Sequence, residues 1–207
     1  MRVGFLGGSF NPPHCGHLAL ARTVLDLGLV DSVMLVPAAV PPHKTIVGNV
    51  SSNLRLAMTR VLAEEDSRVL VCDIELRRTG KSYTIDTIHE LYDEHPEWRL
   101  RLILGSDMAK SFVTWKEYRE LLRIAPPLVA ERPDAPFSAD IKERYQGLTE
   151  EDIAVLEEGR FAMTPVDISS TKIRAMVADG AGMEELSPVL TPGVARFVME
   201  HRLYSSE

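Results

Sequence analysis

Residues Gly4 to Leu18 read GFLGGSFNPPHCGHL. The first positions form a short apolar run suited to a buried strand, and from His17 onward apolar residues recur at helical spacing, so the stretch is a strand, a turn and a helix. Gly7 and Gly8 permit a sharp turn and let a ligand approach the backbone closely, because neither carries a side chain. A tight turn accounts for the glycines but not for His14 and His17. Three apart at the mouth of a helix, the histidines can face one side, beside backbone N–H groups that favour an anion. A P-loop would need Lys followed by Ser or Thr, and GGSFNPPHCG lacks GxGxxG spacing. A zinc site built on His14, Cys15 and His17 would need a distant fourth ligand, since adjacent side chains diverge. A phosphate site fits these residues better than either zinc or two incidental surface histidines.

The same alternation continues along the chain. Strands are expected at Val3 to Leu6, Ser32 to Pro37, Val69 to Ile74, Leu100 to Leu104, Leu128 to Ala130 and Phe161 to Ile168. Helices are expected at His17 to Leu27, Ser52 to Glu64 with Leu54, Met58, Val61 and Leu62 inward, Ile85 to Tyr92 capped by Thr84, and Val194 to Glu200. Another opens at Ser169, and the acidic stretch Thr149 to Glu158 reads as a solvated helix. Strands alternating with helices imply an α/β fold, a Rossmann-like doubly wound parallel sheet with helices on both faces. Such sheets bind ligands at the carboxyl ends of their strands.

Two further strand ends carry unusual chemistry. DISSTKIR places the hydroxyls of Ser169, Ser170 and Thr171 around a helix N-terminus and adds Lys172 and Arg174, more than a cap requires. Gly105-Ser106-Asp107 offers a close-approach glycine and a carboxylate of the kind that holds a ribose hydroxyl. Trp115, eight residues on in a polar context, is either core or a stacking platform for a flat ring.

The 207 residues are 45% hydrophobic and 26% charged, an ordinary globular composition, and are expected to form a single domain whose C-terminal part, about 169–207, is helical. A formal net charge of -7 speaks against broad adhesion to nucleic acid or to an anionic membrane. No apolar run approaches the roughly 18 to 20 residues of a membrane span, and no signal peptide is evident, so a cytoplasmic location is expected. Cys15 and Cys72 are too far apart in kind and place to suggest a disulfide framework.

On these residues the chain resembles a known family. GGSFNPPHCGH is similar to the (H/T)xGH signature of the nucleotidyltransferase superfamily, and ISSTKIR to its second signature, ISSTxIR. With PPHK, Arg55, SYTIDT at Ser82 to Thr87, and GSD followed by Trp115 in the same order, the resemblance is to bacterial nicotinate mononucleotide adenylyltransferases, over nearly the whole chain. Ser9 and Asn11 stand where many relatives have Thr and Asp, and residues 124–140 match least.

The resemblance implies transfer of AMP from ATP to nicotinate mononucleotide in NAD biosynthesis, by in-line attack of the substrate phosphate on the α-phosphorus. It implies His14, His17 and Arg174 as catalytic residues. ATP would be held by Gly7, Gly8, Ser9, His14, His17 and Gly105, together with Asp107, Ile168, Ser169, Ser170, Thr171 and Arg174. The mononucleotide would meet Ser9, Phe10, Lys44, Arg55, Thr84 and Trp115, with Trp115 stacked on the pyridine. Magnesium is expected to arrive on the ATP phosphates, with no metal ligands from the protein. ATP and nicotinate mononucleotide are the expected partners, without nucleic acid or membrane, and homo-oligomerisation stays open. An adenylyltransferase of nicotinamide mononucleotide or of both forms, and a non-catalytic ATP or NAD sensor, stand as alternatives.

Overall fold

A computed structural model of the chain describes residues 1–41, 50–131, 148–164 and 166–205. Its first half runs β1 (Arg2–Gly8), α1 (Cys15–Asp26), β2 (Ser32–Pro37), α2 (Ser52–Ala63), β3 (Val69–Val71), α3 (Ile74–Arg77) and α4 (Thr84–Glu94). The second half begins with β4 (Arg99–Gly105), α5 (Ser106–Ser111), a 3-10 turn at Phe112–Thr114, α6 (Tyr118–Ile124) and β5 (Leu128–Glu131). Then follow α7 (Glu150–Glu158), β6 (Arg160–Ala162), α8 (Ser170–Ala178), α9 (Met183–Leu186) and α10 (Pro192–Glu200).

All pairings are parallel, and the strand order is β3-β2-β1-β4-β5-β6. The chain builds outward from β1 to β3, then returns to the other side of β1 to start β4. The carboxyl ends of β1 and β4 therefore flank the point where strand order reverses, the usual ligand crevice of such sheets. Register sharpens the point. β1 stays paired with β2 as far as Gly8 and Pro37, whereas its pairing with β4 stops at Phe5 and Leu102. Both strands continue beyond that pair, so the sheet parts where Gly7, Gly8 and Gly105 lie.

Alternation along the strands divides the apolar residues between two faces. Leu6, Val33, Leu35 and Ile103 pack on one face beneath α1, α2, α8 and α10. Val3, Phe5, Met34, Val36, Leu100, Leu102 and Leu104 pack on the other against α4, α5 and α6. All six residues of β2 are buried, as its unbroken apolar run requires of a strand covered on both sides.

Two expected strands are shorter than the apolar pattern. β3 ends at Val71, and Ile74 opens the short helix α3 instead of closing the strand. β6 covers only Arg160–Ala162; Met163, whose N–H still donates to Glu131 O at 3.2 Å, and then Val166 and Ile168 continue past it along a cavity. Thr84 is the first helical residue of α4, with Tyr83 at the capping position, and Thr149 caps α7 through its hydroxyl.

Candidate active site

His14 stands at the N-cap of α1 with extended backbone, φ -148° and ψ 172°. Its backbone N–H donates to His17 Nδ1 at 3.2 Å. With Nδ1 occupied as an acceptor, a neutral His17 must carry its proton on Nε2, which fixes one tautomer as a hydrogen-bond donor. The two imidazoles lie 3.8 Å apart between centroids, and Phe10 flanks His17 at 4.9 Å. Burial pushes the His14 imidazole down to about 4, so it is neutral at physiological pH, and its Nδ1 has no partner among the described residues. Gly16 makes this packing feasible: a Cβ there would sit 3.0 Å from His14 Nδ1. At Gly7 and Gly8 a Cβ would press on the rings of Phe5 and Phe10, so packing as well as ligand approach demands glycine.

The second motif is bound directly to this turn. Ser169 caps α8 by accepting from the Lys172 N–H at 3.2 Å. Ser170 Oγ donates to Pro12 O at 2.9 Å, and Arg174 Nη1 donates to Asn11 O at 2.7 Å. Arg174 Nη2 donates to Thr171 Oγ1 at 3.1 Å. From the C-terminal segment, Tyr204 donates its hydroxyl to Asn11 Oδ1 at 2.7 Å. Burial raises the Tyr204 phenol above its ordinary range, which keeps it a donor. Lys172 is instead turned outward to Asp167, at 3.2 Å.

Arg55 is almost fully enclosed, 1% exposed, and its guanidinium donates to two carbonyls, Ser9 O at 2.7 Å and Ala39 O at 3.4 Å. Burial lowers its pKa from the usual guanidinium value. Ser82 Oγ accepts from the N–H groups of Ala39 and Val40 at 3.0 and 3.3 Å. Glu75, 4% exposed, accepts from Thr87 Oγ1 at 2.8 Å. Trp115 packs against Phe112 at 5.4 Å, and its buried indole N–H has no partner among the described residues.

A cavity of about 840 Å³ joins these parts. Gly7, Gly8, Ser9, His14 and His17 line it from the first motif, and Ile168, Ser169, Ser170, Thr171 and Arg174 from the second. Gly105 borders it from β4, and Thr84 and Trp115 line it too. Phe10 and Arg55 stand behind the lining, the first against His17 and the second beneath Ser9. Asp107 lies in α5, but its side chain is outside the described residues, as is Lys44. Sequence reading overlooked Glu75, which lines the cavity, and the hub made by Asn11 and Tyr204. The asparagine of SFNPP was a visible signal; the buried carboxyl and the distant tyrosine had none.

The site thus offers two imidazoles, hydroxyls, the N-terminus of α8, a guanidinium, an indole and the start of α4 around one cavity. Those groups suit a polyphosphate and a flat ring.

Comparison with known proteins agrees. The Cytidylyltransferase-like family model matches residues 5–176. A "Probable nicotinate-nucleotide adenylyltransferase" of Halalkalibacterium halodurans is 38% identical over 210 residues, covering 99% of this chain and 92% of the relative. A protein of the same name from Geobacter sp. (strain M21) is 35% identical over 224 residues, with 99% and 98% covered. Among solved structures, the Plasmodium falciparum nicotinic acid mononucleotide adenylyltransferase complexed with NaAD superposes with a TM-score of 0.74 at 16% identity, covering 98% of this chain and 97% of that one. That likeness speaks to the fold, and the sequence relatives to the family. The chain belongs to the Cytidylyltransferase-like family and, within it, to the nicotinate-nucleotide adenylyltransferases.

Proposed function

We propose that this protein transfers AMP from magnesium-bound ATP to nicotinate mononucleotide, yielding deamido-NAD and pyrophosphate. The observation that carries the reading is the single cavity in which the histidine turn and the start of α8 face the same space as Thr84 and Trp115. The names of the relatives support nicotinate mononucleotide as the acceptor.

The nucleophile is an oxygen of the mononucleotide phosphate, already ionised at neutral pH. It forms a bond to the α-phosphorus as the bond to the β-phosphate oxygen breaks, and the electron pair leaves with pyrophosphate. No general base is needed. The work lies in aligning two anions and stabilising the charge that builds on the α-phosphate. His17, with Nδ1 held by the His14 N–H, presents Nε2–H as a donor to an α-phosphate oxygen. His14 contacts the same triphosphate, and an anion at that place draws its pKa upward from about 4.

Thr171, Arg174 and backbone N–H groups at the start of α8, that of Ser170 among them, take the β- and γ-phosphates as pyrophosphate departs. Gly8, Gly105 and Asp107 border the adenosine, in the crevice where β1 and β4 part. Backbone donors at Thr84 meet the nicotinate carboxylate, Trp115 stacks on the pyridine, and Lys44 closes this side. Arg55 acts from behind by fixing the carbonyls of Ser9 and Ala39.

Magnesium enters as part of the nucleotide. The phosphate end supplies hydrogen-bond donors, which suit phosphate oxygens better than a bare cation. Among the described residues no group of three or more His, Cys, Asp or Glu could hold a metal ion. The two free cysteines and an ATP-dependent reaction fit a cytoplasmic enzyme built as one nucleotidyltransferase domain.

Stereochemistry at phosphorus tests the mechanism. ATP made chiral at the α-phosphorus with sulfur should give deamido-NAD of inverted configuration, as one in-line displacement requires. Retention would reveal a covalent adenylyl intermediate and overturn the direct attack.

A further inference from the structure

Between Asn11 and His14 the histidine turn has no backbone N–H to give, because both intervening residues are proline. Its carbonyls are taken by side chains from distant helices: Ser9 O by Arg55, Asn11 O by Arg174 and Pro12 O by Ser170. Phe10, between the first two, has φ 46°, in the left-handed region that a residue with a side chain enters only at a cost. The turn keeps this shape because its surroundings impose it.

The C-terminal part of the chain adds two braces, one on each side of His14. Before it, Tyr204 Oη donates to Asn11 Oδ1 at 2.7 Å. After it, the Cys15 N–H donates to Val189 O, between α9 and α10, at 3.0 Å. Asn11 is 2% exposed, so its side-chain oxygen depends on a donor from the protein and not on bulk water. The phenol is brought there by an unusual path. Past the end of α10, Arg202 and Tyr204 have φ of 48° and 65°, both left-handed, while Leu203 between them donates its N–H to Val198 O at 3.0 Å and buries its side chain in the core. Two strained residues within three, in a segment that could simply fray, mark a contact that offsets their cost.

We propose that Tyr204 is a positioning residue for adenylyl transfer: its hydroxyl, through Asn11, holds the turn that places His14 and, by way of the His14 N–H on Nδ1, fixes the tautomer of His17. The inference rests on the adenylyl-transfer reading above for its kinetic consequence. It does not rest on that reading for the contact itself.

The test uses the full chain and Tyr204→Phe, which keeps the ring and removes only the hydroxyl. Should that variant fold poorly, Tyr204→Met supplies a flexible side chain that likewise lacks a donor. Steady-state kinetics, taken well below the thermal midpoint of each protein, give kcat and both KM values, and nitrogen NMR of the histidine side chains reports the His17 tautomer. Expected is a fall of about tenfold in kcat with each KM within about twofold, as for a group misplaced in the transition state. The His17 nitrogen signals move from those of a single tautomer protonated on Nε2 toward the averaged values of a free imidazole. An unchanged kcat, whatever happens to the thermal midpoint or to either KM, or unchanged His17 signals, would overturn the proposal and leave Tyr204 as an anchor of the chain end alone. If the unmodified chain turned over neither nicotinate nor nicotinamide mononucleotide, the adenylyl-transfer reading would fall, and the nitrogen signals would still decide whether Tyr204 holds the histidine turn.

Discussion

Arg174 Nη1 donates to the backbone carbonyl of Asn11 at 2.7 Å, joining residues 163 positions apart in the chain. This bond, with that from Ser170 to Pro12 O, makes the two signature motifs one object. The phosphate end is pre-assembled: the turn that carries the histidines cannot shift without moving the start of α8.

Replacing Arg174 should accordingly harm both binding and order. Arg174→Ala is expected to raise the ATP KM by roughly tenfold to a hundredfold, the scale of one to three kcal/mol for a charge-assisted contact. Arg174→Lys should recover only part, since an ammonium cannot fork between Asn11 O and Thr171 Oγ1. An unchanged ATP KM in the alanine variant would remove this helix from the phosphate site.

Gly16 offers a different probe, because it lines the cavity without a side chain of its own. A Cβ 3.0 Å from His14 Nδ1 must displace the imidazole. Gly16→Ala should lower kcat by about tenfold or more through misplacement of the histidine pair, with the thermal midpoint little affected. Normal kcat would show that the pair tolerates the shift.

The burial of His14 predicts a pH dependence of stability. Its folded pKa is about 4 against an ordinary 6.5, so between these values the unfolded chain binds more protons than the folded one. Stability is intact above about pH 6.5 and falls on acidification toward pH 4, by on the order of 3 kcal/mol from this group. Denaturant titrations at several pH values should show a flatter profile in His14→Asn, and saturating ATP should blunt the loss in the parent. Parallel profiles for parent and variant would contradict the assignment.

His17 and Trp115 should separate chemistry from substrate binding. His17→Ala is expected to reduce kcat by about a hundredfold to a thousandfold while the fold survives. Trp115→Ala should raise the KM for the mononucleotide far more than that for ATP if the indole stacks on the pyridine as proposed. If both KM values rose together, Trp115 would be acting as core beside Phe112.

The parallel sheet and the three chemically loaded strand ends were legible because each is encoded locally. Apolar runs mark the buried strands, and the histidine and hydroxyl residues gathered at their ends exceed what a turn or a helix cap requires. Arg55 shows where local reading stops. The apolar pattern of Ser52 to Glu64 turns Leu54, Met58, Val61 and Leu62 inward, and all four pack on the core, but Arg55, Leu56 and Thr59 of α2 are buried as well. An arginine is buried there because carbonyls from Ser9 and Ala39, on other loops, receive its head. No periodicity within the helix can report them. The excess length expected of β6 is a related case: apolar residues after Ala162 line the cavity, and a strand and a cavity wall look alike in one dimension.

Adenylyl transfer is tested by pyrophosphate release from the purified protein with ATP and magnesium, run in parallel with nicotinate and nicotinamide mononucleotides. Turnover with a large preference in kcat/KM for the nicotinate form is expected, because donors at Thr84 would meet a carboxylate better than an amide. Equal use of both would contradict the assigned acceptor. Binding of ATP without release of pyrophosphate from either would contradict catalysis itself.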